Sequence, residues 1–189
     1  MLSAFSLVST VVSLAIAGVT VPLSKRFGKK EVAAAATCFS GVAYLILYFM
    51  HITSAWLYMI LSVIGFLGVN LFNMVIWANI TDVIDDHEVR TGSRDDGTVY
   101  SVYSFARKIG QALAGGLGGA ALQAIGYDEL ATVQNARVVE GIYATVNLIP
   151  AVCFLGVAAI LAFAYPLSRK KVEENAAILK KKREMEQRS

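Results

Sequence analysis

The sequence predicts an all-α integral membrane protein with about five transmembrane helices, and three observations carry that prediction. Hydrophobic residues make up 56% of the 189 and charged residues only 16%, whereas an ordinary soluble domain is about one quarter charged. The mean hydropathy is +0.58. The apolar residues also collect into five long blocks instead of spreading as short periodic faces, and a run of ~20 apolar residues is what ~30 Å of hydrocarbon requires.

The first block, 2–23, ends in Pro22 and the basic run Lys25, Arg26, Lys29 and Lys30. A signal peptide carries its positive charge before the apolar region, so this block reads as a span that enters from outside and ends in the cytoplasm. The second, 32–50, returns outward to the short connection His51–Ile52–Thr53–Ser54. The third, 55–80, begins with Trp56 and Tyr58 at an interface, where amphipathic rings anchor, and leads into an acidic loop from Asp82 to Asp96. The fourth, 98–125, is followed by an outer connection from Tyr127 to Arg137. The fifth, 138–165, contains Pro150 and ends at Pro166. Residues 1–166 thus form one transmembrane unit, and 167–189 a charged tail.

Basic residues fix the orientation, because short cytoplasmic loops carry the excess of Lys and Arg. Of the 17, 14 fall in the two inner loops and the tail, Arg137 lies outside, and Arg107 and Lys108 lie within the fourth span. The C-terminus is therefore expected in the cytoplasm. The tail interleaves four glutamates with its basic residues and reads as an ordinary solvated helix with same-face ion pairs.

Cys38 and Cys153 sit in apolar blocks and read as small packing residues. His51 and His87 read as loop residues on opposite sides, so they make no metal pair. The carboxylates Asp82, Asp85, Asp86, Glu88, Asp95 and Asp96 come without a nucleophile, a metal-ligand set or a glycine-rich phosphate loop, which argues against an enzyme. Together with Arg90 and Arg94, they read as a charge network that locks helix ends and serves as a cytoplasmic gate.

The fourth span holds the polar residues that matter most. Tyr100, Tyr103, Ser104, Arg107 and Gln111 follow spacings of three and four and share one helical face, with Lys108 at its margin. Arg107 lies more than ~10 Å from the loop end by helical rise, which strains a snorkel toward the interface. Ionised groups at membrane depth cost roughly 2.5–3.5 kcal/mol each on insertion scales and persist where they face a polar cavity or partner. A stripe of hydroxyls, an amide and cations suits a hydroxyl-rich solute or an anion. The bland alternative is helix–helix hydrogen bonding. On the third span Asn70, Asn73 and Trp77 also share a face; an indole can stack on a sugar, although Trp77 could equally be an interfacial anchor. Gly110, Gly115, Gly116, Gly118, Gly119 and Gly126 read as a surface for close helix packing through the Gly115–Gly119 spacing.

These residues also carry a family resemblance. DVIDDHEVRTGSRDDG, then SFARKIGQALAG, with PLSKRFGKK earlier in the chain, resembles the glycoside–pentoside–hexuronide:cation symporters, the melibiose-permease-like branch of the major facilitator fold. The resemblance covers essentially the whole chain and implies helices eight to twelve of a twelve-helix transporter. It places Lys108 where the family has a basic residue facing the sugar, with Tyr103, Ser104, Arg107 and Asn73 at lining positions. Thr81, Asp86 and Asp96 depart from the family pattern, which usually has Ala, an aromatic and Glu there.

The resemblance further implies a sugar or sugar-acid solute, the lipid bilayer as environment, a complementary N-terminal half as partner, and no nucleic acid. It implies no cofactor beyond Na⁺ or H⁺ as coupling ion, held mainly in that half. The expectation is a C-terminal fragment of a secondary sugar symporter in the bacterial cytoplasmic membrane, not competent for transport alone. The solute would be held by Lys108, Arg107, Ser104, Tyr103, Gln111, Asn73 and Trp77. The adjacent cations lean toward a uronide or other anionic sugar. The alternative is a non-transporting five-span scaffold assembled through the glycine-rich helix.

Overall fold

The computed structural model describes residues 2–187, with side chains from Thr10 onward. Six α-helices follow one another: α1 (Leu2–Phe27), α2 (Lys29–Met50), α3 (Ala55–Thr91), α4 (Asp96–Ala124), α5 (Ala136–Ala159) and α6 (Arg169–Glu186). A π-helical turn, Ile160–Ala164, continues α5, and no strand occurs among the described residues. Among the described residues four helices, α1, α2, α3 and α5 with its π turn, are long and apolar enough to cross a membrane. α4 matches them in length at 29 residues but carries the polar face. The all-helical membrane fold is as the composition predicts.

Local chemistry sets the helix ends. Gly28 alone separates α1 from α2, at φ 99°, a backbone region that glycine enters without steric cost. Gly92 closes α3 at φ 78° and returns its N–H to the Glu88 carbonyl at 2.9 Å, a glycine C-terminal stop. Ser54, Asp95 and Asn135 cap α3, α4 and α5 by accepting from the N–H groups of Leu57, Thr98 and Val138. Pro166 ends α5: Tyr165 before it is extended, as a residue preceding proline prefers.

α2 lies at the centre, packed against α3 on one side and α5 on the other, while α1 packs against α3. Close approach comes from small residues. A Cβ at Gly68 of α3 would lie 2.2 Å from the Ala36 carbonyl oxygen and 2.4 Å from Ser40 Oγ, and one at Gly41 of α2 would lie 2.7 Å from Leu155 Cγ. Buried polar groups tie the same seam together. Ser40 donates to the Gly65 carbonyl at 2.8 Å, and Tyr58 to Asn147 Oδ1 at 3.2 Å. Val32, Ala33, Val75 and Leu161 form the buried apolar cluster.

Several expectations change. The acidic loop is mostly helix: α3 runs to Thr91 and only 92–95 turn, because no glycine or proline interrupts 82–91. At 37 residues, α3 is roughly 55 Å long by helical rise, well beyond a ~30 Å hydrocarbon core. His87 therefore stands on a helix, not in a loop. The close-packing role expected of the α4 glycines is not realised: Gly110, Gly115, Gly116, Gly118 and Gly119 have nothing within 4 Å of an added Cβ. α4 is instead held at its ends, against α3 near Trp77 and through Ile125 against Gly141 of α5. Cys38 and Cys153 are free and exposed, on outward faces rather than in packing seams. The tail is not simply solvated, since α6 packs on α3 and buries Asn175 and Leu179.

Candidate functional site: the α3–α4 aromatic contact and its charged end

α3 and α4 are joined by a short turn, 92–95, and meet where Trp77 of α3 approaches Tyr100 and Tyr103 of α4. Trp77 sits at their contact, with its ring centroid 5.4 Å from that of Tyr103 in an edge-on arrangement and 6.4 Å from that of Tyr100. Trp77 remains 47% exposed, which leaves much of the indole open. An aromatic platform of this kind offers apolar area beside polar tips.

One turn above, Asn73 on α3 and Arg107 on α4 each lie four residues from this contact, ~6 Å along their helices. Asn73 donates to the Val69 carbonyl at 3.0 Å and is exposed. Ser104, Arg107, Lys108 and Gln111 are exposed and make no hydrogen bond or ion pair among the described residues. The structure thus brings Trp77, Tyr100 and Tyr103 into contact. It places Ser104, Arg107, Lys108 and Gln111 above them on α4, with free donors. Asn70 is engaged by α1 instead: it accepts from Ser13 Oγ at 2.9 Å and donates to its own helix at Phe66.

Below this aromatic contact, every expected gate residue is paired. Lys29 Nζ meets Asp82 Oδ1 at 2.5 Å, tying the start of α2 to α3, and also reaches the Ala78 carbonyl at 3.3 Å. Arg90 pairs with Asp86 one turn before it at 2.7 Å. Arg94, in the turn, reaches Asp85 at 2.8 Å, Asp96 at 3.0 Å and Glu88 at 3.1 Å. The hydrogen bonds that Arg94 donates to Asp85 and Glu88 hold its guanidinium above its already high ordinary range, so it stays charged at any pH the protein meets. Bonds from Thr98 hold the Asp95 carboxyl below the usual carboxylate range, which keeps the α4 cap ionised.

Three partners of this network, Lys182, Arg183 and Asn175, were not singled out from the sequence. Glu88, 8% exposed at its side chain, also faces Lys182 at 3.6 Å and Arg183 at 3.8 Å, and Asn175 Nδ2 donates to Asp86 Oδ1 at 2.9 Å. A signal was present: Asn175, Leu179, Lys182 and Arg183 fall at i, i+4, i+7 and i+8, one face of a helix. No group of three or more His, Cys, Asp or Glu able to hold a metal occurs among the described residues.

The sequence model of the family described as MFS/sugar transport protein matches residues 1–169. An uncharacterized symporter of Bacillus subtilis, YjmB, is 38% identical over 146 residues, 77% of this chain and 31% of that protein. A putative sulfoquinovose importer of Escherichia coli is 34% identical over 152 residues, 80% of this chain and 32% of that protein. A glucuronide carrier protein homolog of Escherichia coli is 30% identical over 164 residues, 86% of this chain and 35% of that protein. The chain spans about a third of the length of these curated relatives.

Proposed function

Since the chain belongs to the MFS/sugar transport protein family, a family of multi-pass transporters and not of enzymes, we propose that it supplies one wall of the solute path in a sugar:cation symporter. Trp77 stacks on the sugar, Lys108 and Arg107 bind its hydroxyls or an acid group, and Tyr103, Ser104, Gln111 and Asn73 orient it. Asp82, Asp85, Asp86, Arg90 and Arg94 form the cytoplasmic gate. The protein lies in a bacterial cytoplasmic membrane with its C-terminus inside, and a complementary N-terminal half completes the path and holds the Na⁺ or H⁺.

One observation carries the reading. Arg107 and Lys108 sit unpaired on α4, a turn above an open aromatic platform, where an ionised group needs a polar partner. Relatives named for glucuronide, sulfoquinovose and 2,3-dihydroxypropane-1-sulfonate support an acid group on the solute.

The test is uptake of radiolabelled glucuronides, xylosides and melibiose into membrane vesicles, with and without a Na⁺ gradient. The chain is compared alone and co-expressed with an N-terminal half from the same family. Uptake is expected only with the half present. Lys108→Ala should weaken solute binding about tenfold or more, as loss of a charge-assisted hydrogen bond does. Unchanged binding and uptake in Arg107→Ala and Lys108→Ala, with the α4 glycines still needed for assembly, would replace this reading with a non-transporting scaffold.

A further inference from the structure

α6 and the α3–α4 turn converge on the same groups. One oxygen of Glu88 faces Arg94 of the turn and Arg183 of α6, and the other faces Lys182 of α6. Lys182 also donates to the Gly92 carbonyl at 3.0 Å, so α6 grips the residue that ends α3. Asn175 and Leu179, 1% and 3% exposed, seat the rest of the helix on α3 through the Asp86 hydrogen bond and apolar contact.

The seat is incomplete, as a releasable contact requires. A cleft of about 480 Å³ remains between α6 and the turn, lined among others by Thr81, Asp85, Arg94 and Arg183. Asn175 Oδ1, though buried, has no hydrogen-bond partner. Elements held by few apolar contacts and by ion pairs open at low free energy.

We propose that α6 is a strap that holds the α3–α4 turn closed, and that Glu88 is the positioning residue joining strap to turn. Releasing α6 removes two of the three cations at Glu88 and the grip on Gly92, so Arg94 and the turn loosen together. The consequence for transport rests on the gate reading above; the mechanical coupling does not.

The experiment is hydrogen–deuterium exchange on the full chain in detergent, read separately over 92–98 and over α6. Lys182→Glu/Arg183→Glu reverses two charges on the contact face. Lys170→Glu/Lys181→Glu changes net charge equally at exposed positions that make no ion pair. The contact-face variant is expected to raise exchange about fivefold in both segments, with the control close to wild type, and Glu88→Gln should act in the same direction. Faster exchange in α6 alone, no change in either segment, or equal effects of the two double variants would each overturn the strap. Uptake is then measured with the complementary half. If exchange responds and uptake does not, the coupling stands and the gate reading fails.

Discussion

The α2 seam and the face of α4 have similar residues and opposite structures. Gly68 and Gly41 sit where an added Cβ would strike a neighbouring helix at under 3 Å, whereas Gly110, Gly115, Gly116, Gly118 and Gly119 face open space. A small residue in a membrane helix permits close approach; a partner at the right distance must use the permission. The same contrast holds for polar groups. On the seam Ser40, Tyr58 and Asn147 bond across helices, while on α4 Ser104, Arg107, Lys108 and Gln111 bond to nothing described.

The largest effect is expected where the seam is charged as well as close. Lys29→Met would leave the Asp82 carboxylate, 6% exposed at its side chain, without its cation. Stranding a buried charge costs about 3–5 kcal/mol, read as a fall in thermal unfolding temperature in detergent. Removing the exposed guanidinium that pairs with Asp86, as Arg90→Ala, should cost only about 0.5 kcal/mol. Similar losses for the two would mean that the Lys29–Asp82 contact is solvated and that packing does not separate the two regions.

Gly68→Leu comes next. The clash with the Ala36 carbonyl is with backbone, which a side-chain rotation cannot relieve, so about 3 kcal/mol or somewhat more should be lost. Ordinary stability in this variant would mean that α2 and α3 slide apart at little cost.

Why the seam was less legible than the helices follows from these residues. The apolar blocks announce themselves because hydrocarbon sets their length and composition locally. The polar stripe at Tyr100, Tyr103, Ser104, Arg107 and Gln111 is likewise a local spacing, and Trp77 does meet Tyr100 and Tyr103. Which glycines pack is not local, since Gly68 differs from Gly116 only in what stands opposite. The extension of α3 through Asp82, Asp85, Asp86 and Glu88 was masked by charge, although no helix breaker lies before Gly92. Those charges are tolerated because Lys29, Arg90, Arg94, Lys182 and Arg183 meet them. Charge density likewise hid the docking face of α6.

A smaller effect tests the polar side of the seam. Asn147→Ala removes the acceptor of the Tyr58 hydroxyl at a fully buried position. Interhelical hydrogen bonds within membrane bundles are worth about 0.6 kcal/mol on average and at most about 1.7, so a loss near 1 kcal/mol is expected. Tyr58→Phe should cost about as much, because it leaves the Oδ1 of the fully buried Asn147 without its donor.

The smallest effect is expected on α4, and it bears hardest on the comparison. In the chain alone Gly119→Leu meets no neighbour, and replacing glycine in a helix interior removes its propensity penalty of about 0.8–1.0 kcal/mol relative to Ala. The unfolding temperature should therefore stay level or rise slightly. Measured beside Gly68→Leu under the same conditions, the pair separates propensity from packing, because both gain the same helix former and only one collides. A loss at Gly119 matching that at Gly68 would mean that α4 packs into the bundle along its glycine face. The open face, and with it the unpaired state of Arg107 and Lys108, would then have to be abandoned.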